Sequence, residues 1–331
     1  MQSRGMRVLV ILPVYGQGAL PTGAFVTSYE YVRGLVAAGH TVDVVTTIKE
    51  PGDVRLEAGV RVWPLRYWRR AVQASQPELL ISHHGDRKAP RIVAQSGRVP
   101  HLLMVHGMAE DRDLGRPAMA WFPSQACRDH YPAYRGRTLV LPPPIDPGRY
   151  QVTPGSMVTL NGSTAAKGAD VLAEVAARLP ETRFLVVRAA GHEPGPQLPN
   201  VTVVDRADPR TVYARTRVLL MPSTTESYGR AGVEAMLSGI PVLAAPLPGI
   251  REALGAAATY IPRSDTARWA GELRRLTDPA AYTDASVRAR DHAERLDYGA
   301  NLAEFEAACR SLRLSGRRSG RAGTRGPEVL R

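Results

Sequence analysis

Short apolar runs closed by loops rich in glycine or proline recur along the chain. The first, Arg7-Val-Leu-Val-Ile-Leu12, shows no polar alternation, the pattern of a strand buried on both faces of a parallel sheet. A loop from Pro13 to Gly23 follows, carrying Gly16, Gly18 and Gly23. Val26, Tyr29, Val32, Leu35 and Val36 then recur at spacings of three and four, which predicts a helix with one buried stripe. Gly39 is placed to end that helix in a left-handed turn, and Val42 to Thr46 is the next strand. Strand, loop, helix and strand in this order form the repeating unit of a doubly wound α/β layer.

Further strands are expected at Leu79 to Ser82, Leu102 to Val105 and Leu139 to Leu141, while the stretch from Asp53 to Gln76 carries no clear period. Pro142-Pro143-Pro144 forms a stiff extended connector, since each proline disfavours the helical conformation in the residue before it. The opening order then repeats. Val158 to Leu160 is a strand, Asn161 to Gly168 a polar loop, and Val171, Leu172, Val175, Ala176 and Leu179 line a helix that Pro180 stops. Strands at Phe184 to Val187, Val201 to Val204, Val218 to Met221 and Val242 to Ala244 alternate with short helices at Asp208 to Tyr213 and Arg230 to Ser238. A final helical region runs from Asp284 to Leu312. The expected organisation is a first domain over residues 1–148, a second over 149–310 and a basic, unstructured tail over 311–331.

Composition narrows the class. A length of 331 residues suits two domains of about 150 each. No apolar run has the length of a membrane span, and the first strand lacks the shape of a secretory signal, so a cytoplasmic location is expected. Cys127 and Cys309, far apart and without histidines at ligand spacing, are expected to be core residues. Of the formal charge of +12, half lies in the last 22 residues, where seven Arg face only Glu328. Such a tail suits a peripheral contact with anionic lipid or simply a soluble terminus. It has no aromatic stacking residues, and no specific nucleic-acid partner is expected.

The densest chemistry lies in Pro222-Ser-Thr-Thr-Glu226-Ser-Tyr-Gly229, between a strand and a helix. Backbone N–H groups at a helix start have no internal partners and attract a diphosphate. Gly229 allows close backbone approach, and Glu234, eight positions after Glu226, points back toward the helix start, where its carboxylate can accept from paired hydroxyls.

Pro222-Ser223, Glu226, Gly229, Glu234-Ala235-Met236, Gly239 and Pro241-Val242 resemble the nucleotide-sugar motif of the retaining glycosyltransferase family 4, with its two glutamates separated by seven residues. The resemblance implies the GT-B fold, two facing Rossmann-like doubly wound domains with a cleft between them. It also implies that Glu226 binds donor-sugar hydroxyls and Glu234 the ribose. Asn161 to Gly168 is similar to the family's phosphate loop, with Lys167 and Gly168 as its lysine and glycine. A common version has an arginine five positions before that lysine; here the residue is Gly162, and Arg230 or Arg188 is the candidate replacement. Ser227 and Tyr228 complete the donor set. In the first domain Thr22-Gly23 resembles the family's glycine loop, and Val105-His106-Gly107 the segment that places a histidine near the sugar.

The expected activity is transfer of a sugar from a nucleotide-diphosphate donor to a small-molecule, glycoside or lipid-linked acceptor hydroxyl, with Glu226, Lys167 and His106 as the catalytic set. No convincing Asp-x-Asp carboxylate pair lies in a loop directly after a strand, so metal-independent chemistry with no cofactor is expected. No general base stands out; Glu110 and Asp111 follow His106 in a loop. The competing readings on the same fold are a nucleotide-sugar epimerase, a phosphorylase and an inactive nucleotide-sugar-binding protein.

Overall fold

The computed structural model describes residues 4–16, 22–48, 52–109, 113–188 and 194–321, with 315–321 as backbone only. Gly18, Glu110 and Asp111 lie outside the described residues. The chain forms two compact units, one of Met1–Pro123, Tyr131–Pro144 and Gly299–Arg331, the other of Ser124–His130 and Ile145–Tyr298.

The first unit holds an 8-stranded sheet in the order β3-β4-β2-β1-β5-β6-β7-β8. Its strands are β1 (Arg7–Leu12), β2 (Thr41–Thr46), β3 (Arg55–Glu57), β4 (Val60–Pro64), β5 (Leu79–His83), β6 (His101–Met104), β7 (Met119–Phe122) and β8 (Thr138–Val140). All pairs are parallel except β3 with β4, a short antiparallel ribbon at the edge. Apolar residues on both faces of β1 explain its unbroken hydrophobic run. Val8, Val10 and Leu12 join one core with Tyr29, Val32 and Leu35, while Leu9 and Ile11 join another with Trp63, Ala71 and Ile92. Gly39 has φ +82, the left-handed turn that the helix end requires.

The second unit holds a 6-stranded sheet in the order β11-β10-β9-β12-β13-β14, parallel throughout. Its strands are β9 (Met157–Asn161), β10 (Phe184–Arg188), β11 (Val201–Asp205), β12 (Thr216–Met221), β13 (Val242–Ala244) and β14 (Thr259–Tyr260). Val158, Leu160, Val218 and Leu220 pack with Leu172, Val175 and Trp269 on one face. Leu219, Met221 and Val242 pack with Val233, Met236 and Ile250 on the other.

The C-terminal helices differ from expectation in two ways. The helical region expected from Asp284 begins earlier and comprises two helices, Pro279–Glu294 and Tyr298–Arg321, with a further helix Thr266–Arg275 before them. Asp278 caps the first of the two by accepting from the Ala281 N–H, with Pro279 in its first turn. From Gly299 the helix Tyr298–Arg321 belongs to the first unit, and it continues through Arg321 into the segment expected to be unstructured. Phe305, Cys309 and Leu312 enter the core of β1, and Phe305 stacks on Tyr31 with centroids 3.9 Å apart. His40 serves the same contact: its Nδ1 accepts from the Met6 N–H at 3.0 Å and its Nε2 lies 2.8 Å from Glu306. Cys127 and Cys309 are both buried, and neither is in a disulfide. Among the described residues no helix is long and apolar enough to cross a membrane.

Candidate functional site

In the second unit the chain runs outward in one direction through β9, β10 and β11, then returns to the other side of β9 as β12. Loops diverge at the carboxyl ends of two such strands and leave a crevice, the usual ligand position in an open parallel sheet. Here the two loops are 162–168, after β9, and 222–229, after β12.

The loops are joined by several contacts. The Thr224 N–H donates to the Ala166 carbonyl at 2.9 Å. Gly168, at φ +98, lies so close to Pro222 that a Cβ there would stand 2.2 Å from the proline Cγ. Arg263, just beyond β14, donates to the carbonyls of Ala165, at 2.9 and 3.2 Å, and Pro222, at 3.2 Å, and pairs with Asp170. Held this way, Lys167 Nζ reaches Glu226 Oε1 at 2.5 Å, and the Ser223 hydroxyl donates to the same oxygen at 3.0 Å. The Lys167 side chain keeps 43% of its surface exposed and Glu226 17%, so the pair faces outward.

Gly162 has φ +137, and a Cβ there would stand 2.7 Å from Lys167 Cγ. The lysine stem therefore lies in the space that a side chain at 162 would fill. An arginine at 162 would need both the backbone and the Lys167 stem to shift. Asn161 is exposed at the end of β9.

Glu234 belongs to the helix Arg230–Met236 and is buried. Arg230 Nε donates to Oε1 at 2.6 Å, the Tyr213 hydroxyl to Oε2 at 2.9 Å, and Arg230 Nη2 to the Tyr150 hydroxyl at 2.9 Å. Burial, reinforced by the Glu234 charge, raises the Tyr213 hydroxyl well above the usual range and raises Tyr150 as well. Burial opposes the Arg230 charge, but Glu234 and Tyr150 outweigh it and the guanidinium titrates higher than usual. Both candidate replacements for the arginine at 162 thus have partners: Arg230 neutralises Glu234, and Arg188 donates to Asp205 at 2.6 Å across β10 and β11.

Gly229 takes φ +93 before the helix. Tyr228 is a core residue whose hydroxyl burial pushes up to about 12, and the Ser227 carbonyl accepts from Ser124. Gly249 lets its helix press on this turn, since a Cβ there would stand 2.5 Å from the Glu226 carbonyl.

The first unit carries the other two candidates. Gly23 opens the helix Gly23–Ala37 and is exposed. His106 follows β6; its ring lies 4.7 Å from His83 and 5.0 Å from Trp121, its Nε2 3.0 Å from the Ser28 hydroxyl, and its N–H donates to His84 Nδ1 at 3.2 Å. Among the described residues no cluster of three or more His, Cys, Asp or Glu suits a metal ion.

Sequence reasoning missed Arg263, Tyr150 and Tyr213. Arg263 carried a usable signal, a cation in the loop just after a parallel strand, where ligand loops gather. The two tyrosines gave none, because only the fold brings them to Glu234.

Residues 155–278 match the family described as glycosyl transferases group 1. D-inositol 3-phosphate glycosyltransferase from Mycolicibacterium smegmatis is 31% identical over 187 residues, 47% of this chain and 42% of that protein. The enzyme of the same name from Streptomyces bingchenggensis is 37% identical over 89 residues, 26% of this chain and 20% of that protein. The match thus spans less than half the length of either relative. Sucrose-phosphate synthase from Thermosynechococcus elongatus superposes with a TM-score of 0.74 at 16% identity, over 93% of this chain and all of that one. HepE from Anabaena, in complex with UDP and glucose, superposes with a TM-score of 0.71 at 18% identity, over 92% and 100%. The chain has the GT-B fold that its two Rossmann-like sheets predict, and over residues 155–278 its sequence is similar to glycosyl transferases group 1.

Proposed function

We propose that this chain is a retaining, hexosyltransferase-like enzyme that moves a sugar from a nucleoside diphosphate donor to a hydroxyl of a small molecule, glycoside or lipid-linked acceptor, without a metal ion. The observation that carries the reading is the meeting of Lys167 and Glu226 where the strand order reverses, beside a helix that bears Glu234. A departing nucleoside diphosphate develops negative charge, and catalysis requires that charge to be met more strongly in the transition state than in the ground state. Lys167 supplies a mobile ammonium and the turn at Gly229 supplies backbone N–H groups, so the role of a metal falls to the protein's own donors. Glu226, beside Lys167, is the acceptor for sugar hydroxyls, and Glu234, fixed on two sides, is the acceptor for the ribose. His106 is the sugar contact from the first unit. Retention follows from attack by the acceptor hydroxyl on the face the leaving group departs from, through an oxocarbenium-like state. Solved structures of the same fold hold UDP and glucose or UDP-glucose, and the curated relatives are named as glycosyltransferases, which supports a nucleotide-sugar donor.

The test is incubation with UDP-, GDP-, ADP- and dTDP-sugars and candidate acceptors, with and without EDTA, with product configuration read by NMR. Binding of one donor class, EDTA-resistant turnover and a retained anomer are expected. Failure of every donor to bind would sink the transferase reading. Loss of turnover in EDTA would sink its metal independence.

A further inference from the structure

Arg263 lies outside every segment that the sequence marks as donor-binding, yet its guanidinium holds both donor loops at once. It donates to the Ala165 carbonyl at 2.9 Å from Nη2 and 3.2 Å from Nη1, and from Nη1 to the Pro222 carbonyl at 3.2 Å, while Asp170 also pairs with Nη2. The planar fork of a guanidinium can serve two carbonyls and a carboxylate together; an ammonium has no such fixed geometry. The side chain is 24% exposed, so these contacts are partly screened from water.

The contacts also set the direction of the peptides. No described peptide bond is cis, so each amide N–H points opposite to the carbonyl of its own peptide plane. Drawing the carbonyls of Ala165 and Pro222 onto Arg263 therefore turns the N–H groups of Ala166 and Ser223 away from it. One N–H lies in the loop bearing Lys167, the other in the loop bearing Glu226. Thr224, whose N–H donates to the Ala166 carbonyl, fixes the spacing between the loops.

We infer that Arg263 is a positioning residue for the donor diphosphate: it clamps the loops after β9 and β12 so that Lys167 and their backbone N–H groups converge on one anion. This chain has no side chain at position 162, and Arg188 and Arg230 are engaged by Asp205 and Glu234. The clamp thus replaces a direct arginine contact with a preset anion cradle. The inference rests on the proposed donor site, and the experiment separates the two.

The nucleoside diphosphate bound by the wild-type protein, chosen from UDP, GDP, ADP and dTDP, is titrated calorimetrically into wild type, Arg263→Ala and Arg263→Lys, beside the monophosphate of the same base. All titrations are run well below each variant's melting temperature. Arg263→Ala should weaken the diphosphate by about tenfold or more, the equivalent of one charge-assisted hydrogen bond, and the monophosphate by less than about threefold. Arg263→Lys should recover only part of the loss. A diphosphate affinity within about twofold of wild type in Arg263→Ala overturns the inference, as does an equal loss for mono- and diphosphate, which marks general destabilisation. If the wild type binds none of the four diphosphates, the donor reading itself falls and the clamp with it.

Discussion

Lys167 and Glu226 carry opposite duties in the proposed site, one toward phosphate and one toward sugar, yet they contact each other at 2.5 Å. With the lysine 43% exposed and the glutamate 17%, water screens the pair, and its share of fold stability is at most about 1 kcal/mol. In the proposed site, ligand affinity should depend on the lysine more strongly than folding does. A charged N–H donor on a phosphate oxygen is worth about 1.5–3 kcal/mol, which is about tenfold to 150-fold in affinity. Lys167→Ala should therefore weaken the free nucleoside diphosphate by that factor while changing unfolding free energy by about 1 kcal/mol or less. Part of the loss comes from Glu226, whose carboxylate then faces the diphosphate without compensation. Glu226→Gln removes that repulsion and releases the lysine. It should bind the free diphosphate at least as tightly as wild type while losing turnover of the diphosphate sugar. Titration calorimetry at low and physiological salt reads both effects, and the Lys167 contribution should shrink as salt rises. A Lys167→Ala variant within about twofold of wild type, or a Glu226→Gln variant as weak toward the diphosphate as Lys167→Ala, would refute the reasoning.

Glu234→Ala strands the buried Arg230 charge and should cost about 3–5 kcal/mol in urea unfolding, whereas Glu234→Gln should cost clearly less; a change under about 1 kcal/mol for the alanine variant would contradict the network. Gly162→Arg, which restores the commoner family residue, should destabilise by about 1–3 kcal/mol and bring no gain in diphosphate affinity, because φ is +137 and the Lys167 stem occupies the space. Calorimetry showing tighter binding would mean that the loop adapts. Burial lowers His101 to about 4, so the folded protein keeps it neutral while the unfolded chain takes up a proton near the ordinary value of 6.5. Stability is then full above about pH 6.5 and falls toward pH 4 by up to about 3 kcal/mol, a slope that His101→Gln should flatten in urea titrations across that range.

Strands buried on both faces were the most legible part of the fold, since β1, β10, β12 and β13 each carry an unbroken apolar run. Strand β7, Met119–Phe122, escaped because it is short and follows Arg116 and Pro117 with no flanking period. The ribbon of β3 and β4 escaped because alternating Arg and apolar residues at a sheet edge also suit a surface loop. In the site, residues adjacent in sequence to a strand end could be named, as Lys167, Glu226 and Gly229 were. Their supports come from Arg263, Tyr150 and Tyr213, which reach the site only through the order of the strands. The helical period of residues 298–312 was legible, but the partner was not: an apolar stripe shows that a face is buried without showing where.

That last helix bears on how the protein is made. Synthesis proceeds from the N-terminus, so β1 to β8 emerge long before Phe305, Cys309 and Leu312, the residues that complete their core. The unit that begins first is therefore finished last, and the segment Ile145–Tyr298 can close on the ribosome while the earlier one still exposes apolar surface. A nascent chain stopped a few dozen residues short should hold a folded interior module and an unfinished leading one. Premature termination would thus act on the opposite end of the molecule from where it occurs.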